Sequence, residues 1–157
     1  MPKKHHSMML MKTHLAIGTF LVLVFLPHSN FKTIFLMITL LASIIPDIDT
    51  AFSTVGKSKF LRIIQWLTKH RGIFHSFTFC ILVSIGIAYA FPPAAFPFFL
   101  GYGLHLFADS FTIDGIRPFW PLNLSASGKI TTGGRIEYIL FVFFSIFDVI
   151  LFVSWFI

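Results

Sequence analysis

Five long apolar runs, separated by shorter polar segments, dominate the pattern of the chain. The runs cover residues 13–26, 31–46, 73–91, 94–111 and 136–157. Several runs are shorter than the roughly 20 residues that a helix usually needs to cross a bilayer. Polar positions at their ends can extend them where those ends are buried in protein. The pattern therefore predicts an all-α fold, a polytopic membrane helix bundle of about five helices.

Two of the interruptions are short and contain residues that stop helices. A His-Ser-Asn segment at 28–30 separates the first two runs, and Pro92 and Pro93 separate the third from the fourth. Such breaks favour tight turns, so each should join an antiparallel pair of helices. The chain of 157 residues shows no internal repeat, and its length suits one domain. We therefore expect a single integral membrane domain over residues 1–157.

Composition also indicates a membrane protein. Hydrophobic residues make up 56% of the chain and charged residues 11%, whereas a soluble domain carries about 25% charged residues. Because mean hydropathy is +0.85, there is too little polar surface to coat a water-soluble fold. The single cysteine, Cys80, excludes an intrachain disulfide and a CxxC metal or redox site.

The formal net charge of +6 concerns topology more than partners. A basic soluble protein would suggest nucleic acid, but membrane proteins keep Lys and Arg in their cytoplasmic loops. With a cytoplasmic N-terminus, segments 1–12, 47–72 and 112–135 lie inside and hold every Lys and Arg except Lys32. We therefore expect a multi-pass protein of the inner (cytoplasmic) membrane, with membrane lipid as its partner and no nucleic acid.

Residues 58–69 show a different pattern. Ser58, Arg62, Gln65 and Lys69 recur at helical spacing, and apolar residues fill the opposite face. This pattern fits an amphipathic helix on the cytoplasmic interface, or equally a helix packed on the rest of the bundle. In either case the helix would roof the ends of the spanning helices.

Seven His and Asp residues fall at the ends of the apolar runs. They are His14, Asp47, Asp49, His70, His75, His105 and Asp109. Charged groups are costly in membrane helices, which makes these residues functional candidates. Because consecutive helices alternate in direction, all seven should lie at the cytoplasmic ends. The topology was set by Lys and Arg alone, so this convergence is a separate observation.

The spacing of these residues favours a metal site. His105 and Asp109 are four residues apart, so they share a helix face and can bind one metal or bridge two. His70 and His75 would diverge on a continuous helix, but Gly72 permits a turn that brings both inward. Mixed His and Asp ligands suit Zn²⁺ or Mn²⁺. The sequence therefore predicts a divalent metal as cofactor, with zinc favoured.

Three other features have more than one interpretation. Glu137 starts the last run, where its negative charge interacts favourably with the helix dipole or where it supports the site in a catalytic or ligand-orienting role. Asp148 lies near the middle of that run, where it pairs with a partner in the bundle or is a protonated acid, and has no assigned role. The Gly-rich segment 131–135 is a flexible turn or an anion site at a helix start.

These motifs resemble a known family. The HRGxxHS segment at 70–76 and the HxxxDxxT segment at 105–112, with His14 and the PDID segment at 46–49, resemble the membrane-bound metal-dependent hydrolase family. Its bacterial members include LexA-regulated inner-membrane proteins. The resemblance covers nearly the whole chain and implies a metal-dependent hydrolase. In His and Asp spacing alone, the chain is also similar to zinc-dependent phospholipase C and the P1-type nucleases, which cleave phosphoesters.

The expected function is therefore metal-dependent hydrolysis at the cytoplasmic membrane face, with a lipid phosphoester as the first substrate to test. Metal-bound water would be the nucleophile. Asp49 is a ligand or the general base, and Arg71 holds an anionic substrate or simply marks the cytoplasmic side. The candidate metal ligands are His14, Asp47, His70, His75, His105 and Asp109.

The alternative is a metal-ion transporter or a structural membrane protein with a bound metal. A transporter should place polar residues along a path through the bilayer. Here they cluster at one face, and Asp148 alone lies deep in an apolar run. This distribution favours the hydrolase.

Overall fold

Five α-helices make up most of residues 9–47 and 73–157, the parts of the chain that the computed structural model describes. They are α1 (Met11–Phe25), α2 (Lys32–Ala42), α3 (Phe77–Ala90), α4 (Pro92–Ser110) and α5 (Arg135–Ser154). Short 3-10 turns, Leu26–His28 and Ile45–Asp47, follow α1 and α2. Each helix occupies one of the five apolar runs, so the prediction of an all-α bundle is confirmed.

Local sequence explains where α3 begins and how closely α4 follows it. The hydroxyl of Ser76 accepts a hydrogen bond from the Phe79 amide at 3.2 Å, which caps the first turn of α3. Phe91 alone separates the end of α3 from Pro92, the first residue of α4. Proline suits this position because the first amide of a helix has no intrahelical partner. The two helices therefore form the tight pair that the sequence predicts.

The helices pack in a continuous order. α5 packs against α1, α1 also contacts α2 and α4, and α4 packs against both α2 and α3. Consecutive helices alternate in direction, so α1, α3 and α5 begin, and α2 and α4 end, at one end of the bundle. We call this the polar end, because the buried His and Asp residues lie there. At the opposite end, the rings of Phe25 and Phe96 are 6.0 Å apart.

A close approach of α2 and α4 sets the centre of the bundle. A Cβ atom built on Gly101 would lie 2.3 Å from the Thr39 carbonyl oxygen and 3.1 Å from the Ala42 side chain. Small residues let helix backbones approach closely in this way. The fully buried side chains of Tyr102 and Leu106 continue the core along the same helix.

The segment between α4 and α5 folds against the polar end. Thr112 pairs with Ile130 through an isolated parallel bridge, and Ile116 pairs with Ala126 through an antiparallel one. The carbonyl of Pro118 accepts a hydrogen bond of 2.8 Å from the amide of the first residue of α3. These contacts hold the segment across the starts and ends of the helices that carry the site.

Two of the described helices are long and apolar enough to cross a membrane, judged by length and composition. They are Met11–His28, which includes the turn after α1, and Arg135–Ser154. α2 has 11 residues, or roughly 16 Å at 1.5 Å per residue, which is shorter than the roughly 30 Å hydrocarbon core. The multi-pass topology therefore remains a prediction, and the amphipathic segment 58–69 lies outside the described residues.

Candidate metal centre

Five His and Asp side chains from separate parts of the chain meet at the polar end. They are His14, Asp47, His75, His105 and Asp109. His14 lies in the first turn of α1, Asp47 in the turn after α2 and His75 just before α3. The other two lie on one face near the end of α4. All five are buried, with at most 7% of each residue exposed.

Four of these residues present their ligand atoms to a common centre. His105 Nε2 lies 3.4 Å from Asp109 Oδ2 and 3.7 Å from Asp47 Oδ1. His75 Nε2 lies 4.0 Å from Asp47 Oδ1. The four ligand atoms all lie within 4.8 Å of one another. Two ligands of a tetrahedral zinc ion are roughly 3.4 Å apart when each bond is about 2.1 Å. The His105–Asp109 pair already has this spacing, and the other ligand atoms would have to move closer to hold one ion.

His14 is a fifth candidate ligand and lies closest to the second oxygen of each carboxylate. Its Nε2 lies 3.3 Å from Asp109 Oδ1 and 3.9 Å from Asp47 Oδ2. Its ring stacks on that of His105, with centroids 3.8 Å apart. Each carboxylate thus turns one oxygen towards His14 and the other towards His105. This arrangement can serve one ion with five ligands or two ions bridged by carboxylates.

The tautomer of His105 follows from its environment. Its Nδ1 lies 2.8 Å from the backbone carbonyl oxygen of Ser43, just after α2. A carbonyl oxygen can only accept a hydrogen bond, so Nδ1 carries the proton. Nε2 then offers its lone pair to the centre of the cluster. Metal-binding histidines commonly have this second hydrogen bond, which fixes the tautomer and the ring orientation.

Several inward-facing atoms have no hydrogen-bond partner within residues 9–47 and 73–157. They are the Nε2 atoms of His14, His75 and His105 and the Oδ2 atom of Asp109. Most buried polar groups in proteins are hydrogen-bonded, and an unsatisfied one costs about 1–3 kcal/mol. A divalent cation at the centre would satisfy the atoms of His75, His105 and Asp109 at once, and the Nε2 atom of His14 lies beside the same two carboxylates. The residues present therefore fit the predicted metal.

Backbone contacts position Asp109. The Met9 amide donates a hydrogen bond of 3.2 Å to Asp109 Oδ1, which leaves Oδ2 directed towards His105. The Thr112 hydroxyl donates to the Asp109 carbonyl at 2.7 Å and accepts from the Gly115 amide at 3.2 Å. The threonine of the HxxxDxxT motif therefore fixes the end of α4 and the following turn.

Glu137 is buried near the cluster but has a different set of partners. Its Oε1 accepts hydrogen bonds from the Leu10 amide and, at 3.1 Å, from the Thr13 hydroxyl. Its Oε2 accepts from the Gly133 amide. Glu137 therefore joins the start of α1 to the start of α5. Because the Gly133 amide is already used, the Gly-rich segment is better explained as a turn than as an anion site.

The structure leaves three predicted site residues untested and places one acidic residue elsewhere. Asp49, His70 and Arg71 lie outside the described residues, so their roles remain predictions. Asp148 lies 11 residues beyond Glu137 on α5, or roughly 16 Å along the helix axis, and is not part of the cluster.

Two contributors to the site have no signal in the sequence. The Ser43 carbonyl orients His105, and the Met9 amide orients Asp109. Both are backbone groups: every residue offers the carbonyl, and every residue except proline offers the amide. Side-chain types can reveal the ligands, but not the main-chain atoms that orient them.

Comparison with known proteins identifies a family. The model of the family described as YdjM inner membrane protein matches residues 9–156. No curated protein and no solved structure matches the chain. The inner-membrane family expected from the motifs is thereby confirmed. Hydrolase activity and the distant similarity to phospholipase C and P1-type nucleases stay predictions.

Proposed function

We propose that this chain, which belongs to the YdjM inner membrane protein family, is a metal-dependent hydrolase. The proposal places its centre at the His and Asp cluster of the polar end. One observation carries it: the Nε2 atoms of His75 and His105 and the Oδ2 atom of Asp109 are buried without a hydrogen-bond partner among the described residues, and these residues belong with Asp47 to a group whose ligand atoms lie within 4.8 Å of one another. A protein that only needed a stable bundle would gain by replacing such groups with apolar ones.

The donor set suits a divalent cation. His14, His75 and His105 supply nitrogen, and Asp47 and Asp109 supply oxygen, a combination that favours Zn²⁺ or Mn²⁺. Two carboxylates can together balance the charge of a dication in a site where an unpaired charge is expensive. When bound, such an ion lowers the pKa of a coordinated water and stabilises charge that develops on a phosphoryl oxygen.

The residues themselves supply orientation. His105 is held by the Ser43 carbonyl and by stacking on His14. These contacts orient its Nε2 atom towards the centre of the cluster. Asp109 is held by the Met9 amide. Asp49, two residues after Asp47, is proposed as the general base, and Arg71, four residues before His75, as the contact to an anionic substrate.

The proposed substrate is a lipid phosphoester. If α1 and α5 cross the bilayer, their starts lie at one membrane surface, which places the cluster near the lipid headgroups. The charge pattern supports the cytoplasmic surface. A headgroup phosphate could then reach the metal while the acyl chains stay in the hydrocarbon.

Transport of a metal ion is the second candidate. Asp148 favours it, because one of its carboxylate oxygens is buried in α5 without a hydrogen-bond partner in the described part of the chain. The five clustered ligands at one end of the bundle argue against it. A transporter should place its binding groups near the bilayer midplane.

Metal analysis combined with a hydrolysis screen tests the proposal. Wild-type protein purified in mild detergent should contain zinc or manganese, and the metal-loaded protein should hydrolyse at least one of a panel of phospholipids, lipid phosphates and soluble phosphodiesters. His105→Ala should lose both properties. His28→Ala is the matched control, since His28 is exposed in the turn after α1. Loaded wild-type protein that cleaves none of the panel would refute the hydrolase and favour the transporter.

A further inference from the structure

An apolar groove lies beside the metal cluster. It is bounded by α4, by α5 and by α1, and it has a volume of about 310 Å³. Leu104 and Ala108 of α4 form one wall, Leu140 and Phe144 of α5 form the other, and Ile17 of α1 lies between them. All of its lining residues are apolar. We call it the α4–α5 groove.

The groove and the metal cluster share α4 as a common wall. Leu104 and Ala108 directly precede His105 and Asp109, and one residue corresponds to a rotation of roughly 100° around a helix. The groove and the ligands therefore lie on neighbouring faces of the same two turns. Met9 connects them as well, because its side chain lines the groove and its amide binds Asp109.

The groove opens sideways, away from the axis of the bundle. Phe107 and Phe111 form its outer edge with ring centroids 5.0 Å apart, and they are 53% and 47% exposed. Among the described helices, α5 packs extensively only against α1, which leaves a gap between α4 and α5. In a membrane protein, a lateral apolar opening of this kind faces the lipid chains.

We propose that the α4–α5 groove binds one acyl chain of a membrane phospholipid and so places its headgroup beside Asp109. The proposal rests on the proposed function, because it names how the substrate of that site is held. A volume of about 310 Å³ is at the small end of ligand pockets, about 300–1,000 Å³, which suits a single chain and not a whole lipid.

The groove would fix the orientation of the lipid more than it would raise the affinity for it. Lipid chains are as apolar as leucine, so moving a chain from the bilayer into the groove gains little from the hydrophobic effect. The bound chain gains van der Waals contact with a fixed wall. This contact holds the headgroup at a fixed position relative to the metal cluster. Because Asp109 and Ala108 are consecutive on α4, this wall ends at the metal cluster.

Photo-crosslinking tests the groove directly. The protein is reconstituted in vesicles of phosphatidylethanolamine and phosphatidylglycerol that contain a trace of phosphatidylglycerol with a diazirine on one acyl chain. After illumination, mass spectrometry locates the labelled residues. Crosslinks should concentrate on the groove segments of α4 and α5 relative to α3, whose surface also faces outward.

Substitutions that fill the groove with a larger side chain test the proposal most directly. Leu104→Trp should reduce crosslinking in the groove roughly ten-fold, since an overfilled site rejects the chain. Leu82→Trp is the matched control, because Leu82 is 64% exposed on α3 and should leave groove crosslinking unchanged. Phe144→Trp fills the groove from the opposite wall and must give the same loss, which guards against misfolding of a single variant.

Metal content, measured on the same samples, separates this proposal from the proposed function. Crosslinks spread evenly over α3, α4 and α5, or unaffected by both groove variants, would overturn the groove even if the wild type holds its metal. Conversely, groove crosslinks that respond to Leu104→Trp in a protein unable to hold metal would support the groove and refute the hydrolase.

Discussion

His105 illustrates how the site is built at the scale of single residues. Its Nδ1 proton is directed to the Ser43 carbonyl, and its Nε2 atom lies 3.4 Å from one carboxylate and 3.7 Å from another. The stacked ring of His14 prevents it from turning. Because these contacts already direct Nε2 towards the cluster, metal binding would need little rearrangement of this side chain.

Glu137 provides a test of residue roles, because it is buried near the cluster but is predicted to be structural. Glu137→Gln replaces one acceptor oxygen with an NH2 group that can only donate, so one of the two backbone amides loses its partner. We expect a lower thermal unfolding temperature, corresponding to about 1–3 kcal/mol. Metal bound per folded molecule should not change. Thermal unfolding and metal analysis of detergent-purified protein measure both quantities.

The opposite result would assign Glu137 to the metal centre. An unchanged unfolding temperature together with loss of metal would show that its carboxylate is a ligand. Thr13→Val is a useful comparison, since it removes the weakest of the three partners, the hydroxyl that lies 3.1 Å from Glu137. It should lower stability by less than Glu137→Gln does.

At the scale of helices, the distance between α2 and α4 controls the cluster. α2 leads to Ser43 and Asp47, whereas α4 carries His105 and Asp109. The helices approach closely at Gly101, one turn before His105, where no Cβ atom fits against the Thr39 carbonyl. Any side chain at this glycine must push the helices apart, and the ligands on them would separate.

Gly101→Ala should therefore destabilise the protein and weaken metal binding. Overpacking of a close contact costs about 1–3 kcal/mol. Gly86→Ala is the control, because an added Cβ at Gly86 meets no atom within 4 Å and alanine favours a helix interior by up to about 1 kcal/mol. Thermal unfolding and metal content should fall in the first variant only. Equal behaviour of the two variants would disprove the role of the close approach.

At the scale of the whole molecule, the alternation of helix direction gathers the ligands. Every helix that begins or ends with a His or Asp ligand does so at the polar end. α5 presents an almost wholly apolar surface away from α1, as expected of a helix that contacts lipid. Family membership supports the membrane setting, and the distribution of Lys and Arg predicts the orientation within it.

Reporter fusions test that orientation. Fusions after Asn30 and Pro93 should read as external, and a fusion after Ser127 should read as cytoplasmic, because the segments rich in Lys and Arg stay inside. The fully reversed pattern would move the metal cluster to the outer face. A fusion at Asn30 that reads the same as one at Ser127 would contradict the multi-pass topology itself.

The sequence by itself determined the helices and most of the candidate ligands. Apolar runs, and the prolines and polar residues that interrupt them, are local features, and local features are enough to place helix ends. His14, Asp47, His75, His105 and Asp109 could be singled out because a charged or polar group at the end of an apolar run is costly without a purpose. Alternating helix direction then predicted the end of the bundle at which they gather.

Tertiary structure alone decided how these residues are arranged. Asp109 turns one oxygen towards His14. The Ser43 carbonyl orients His105, and the Met9 amide orients Asp109. All three contacts join atoms that are distant in sequence. The α4–α5 groove lies between side chains of helices that are distant in sequence, so no local pattern predicts it. Glu137 joins two helix starts by hydrogen bonds that span more than 120 positions. Sequence patterns report local preferences, but these features arise only when separate segments pack together.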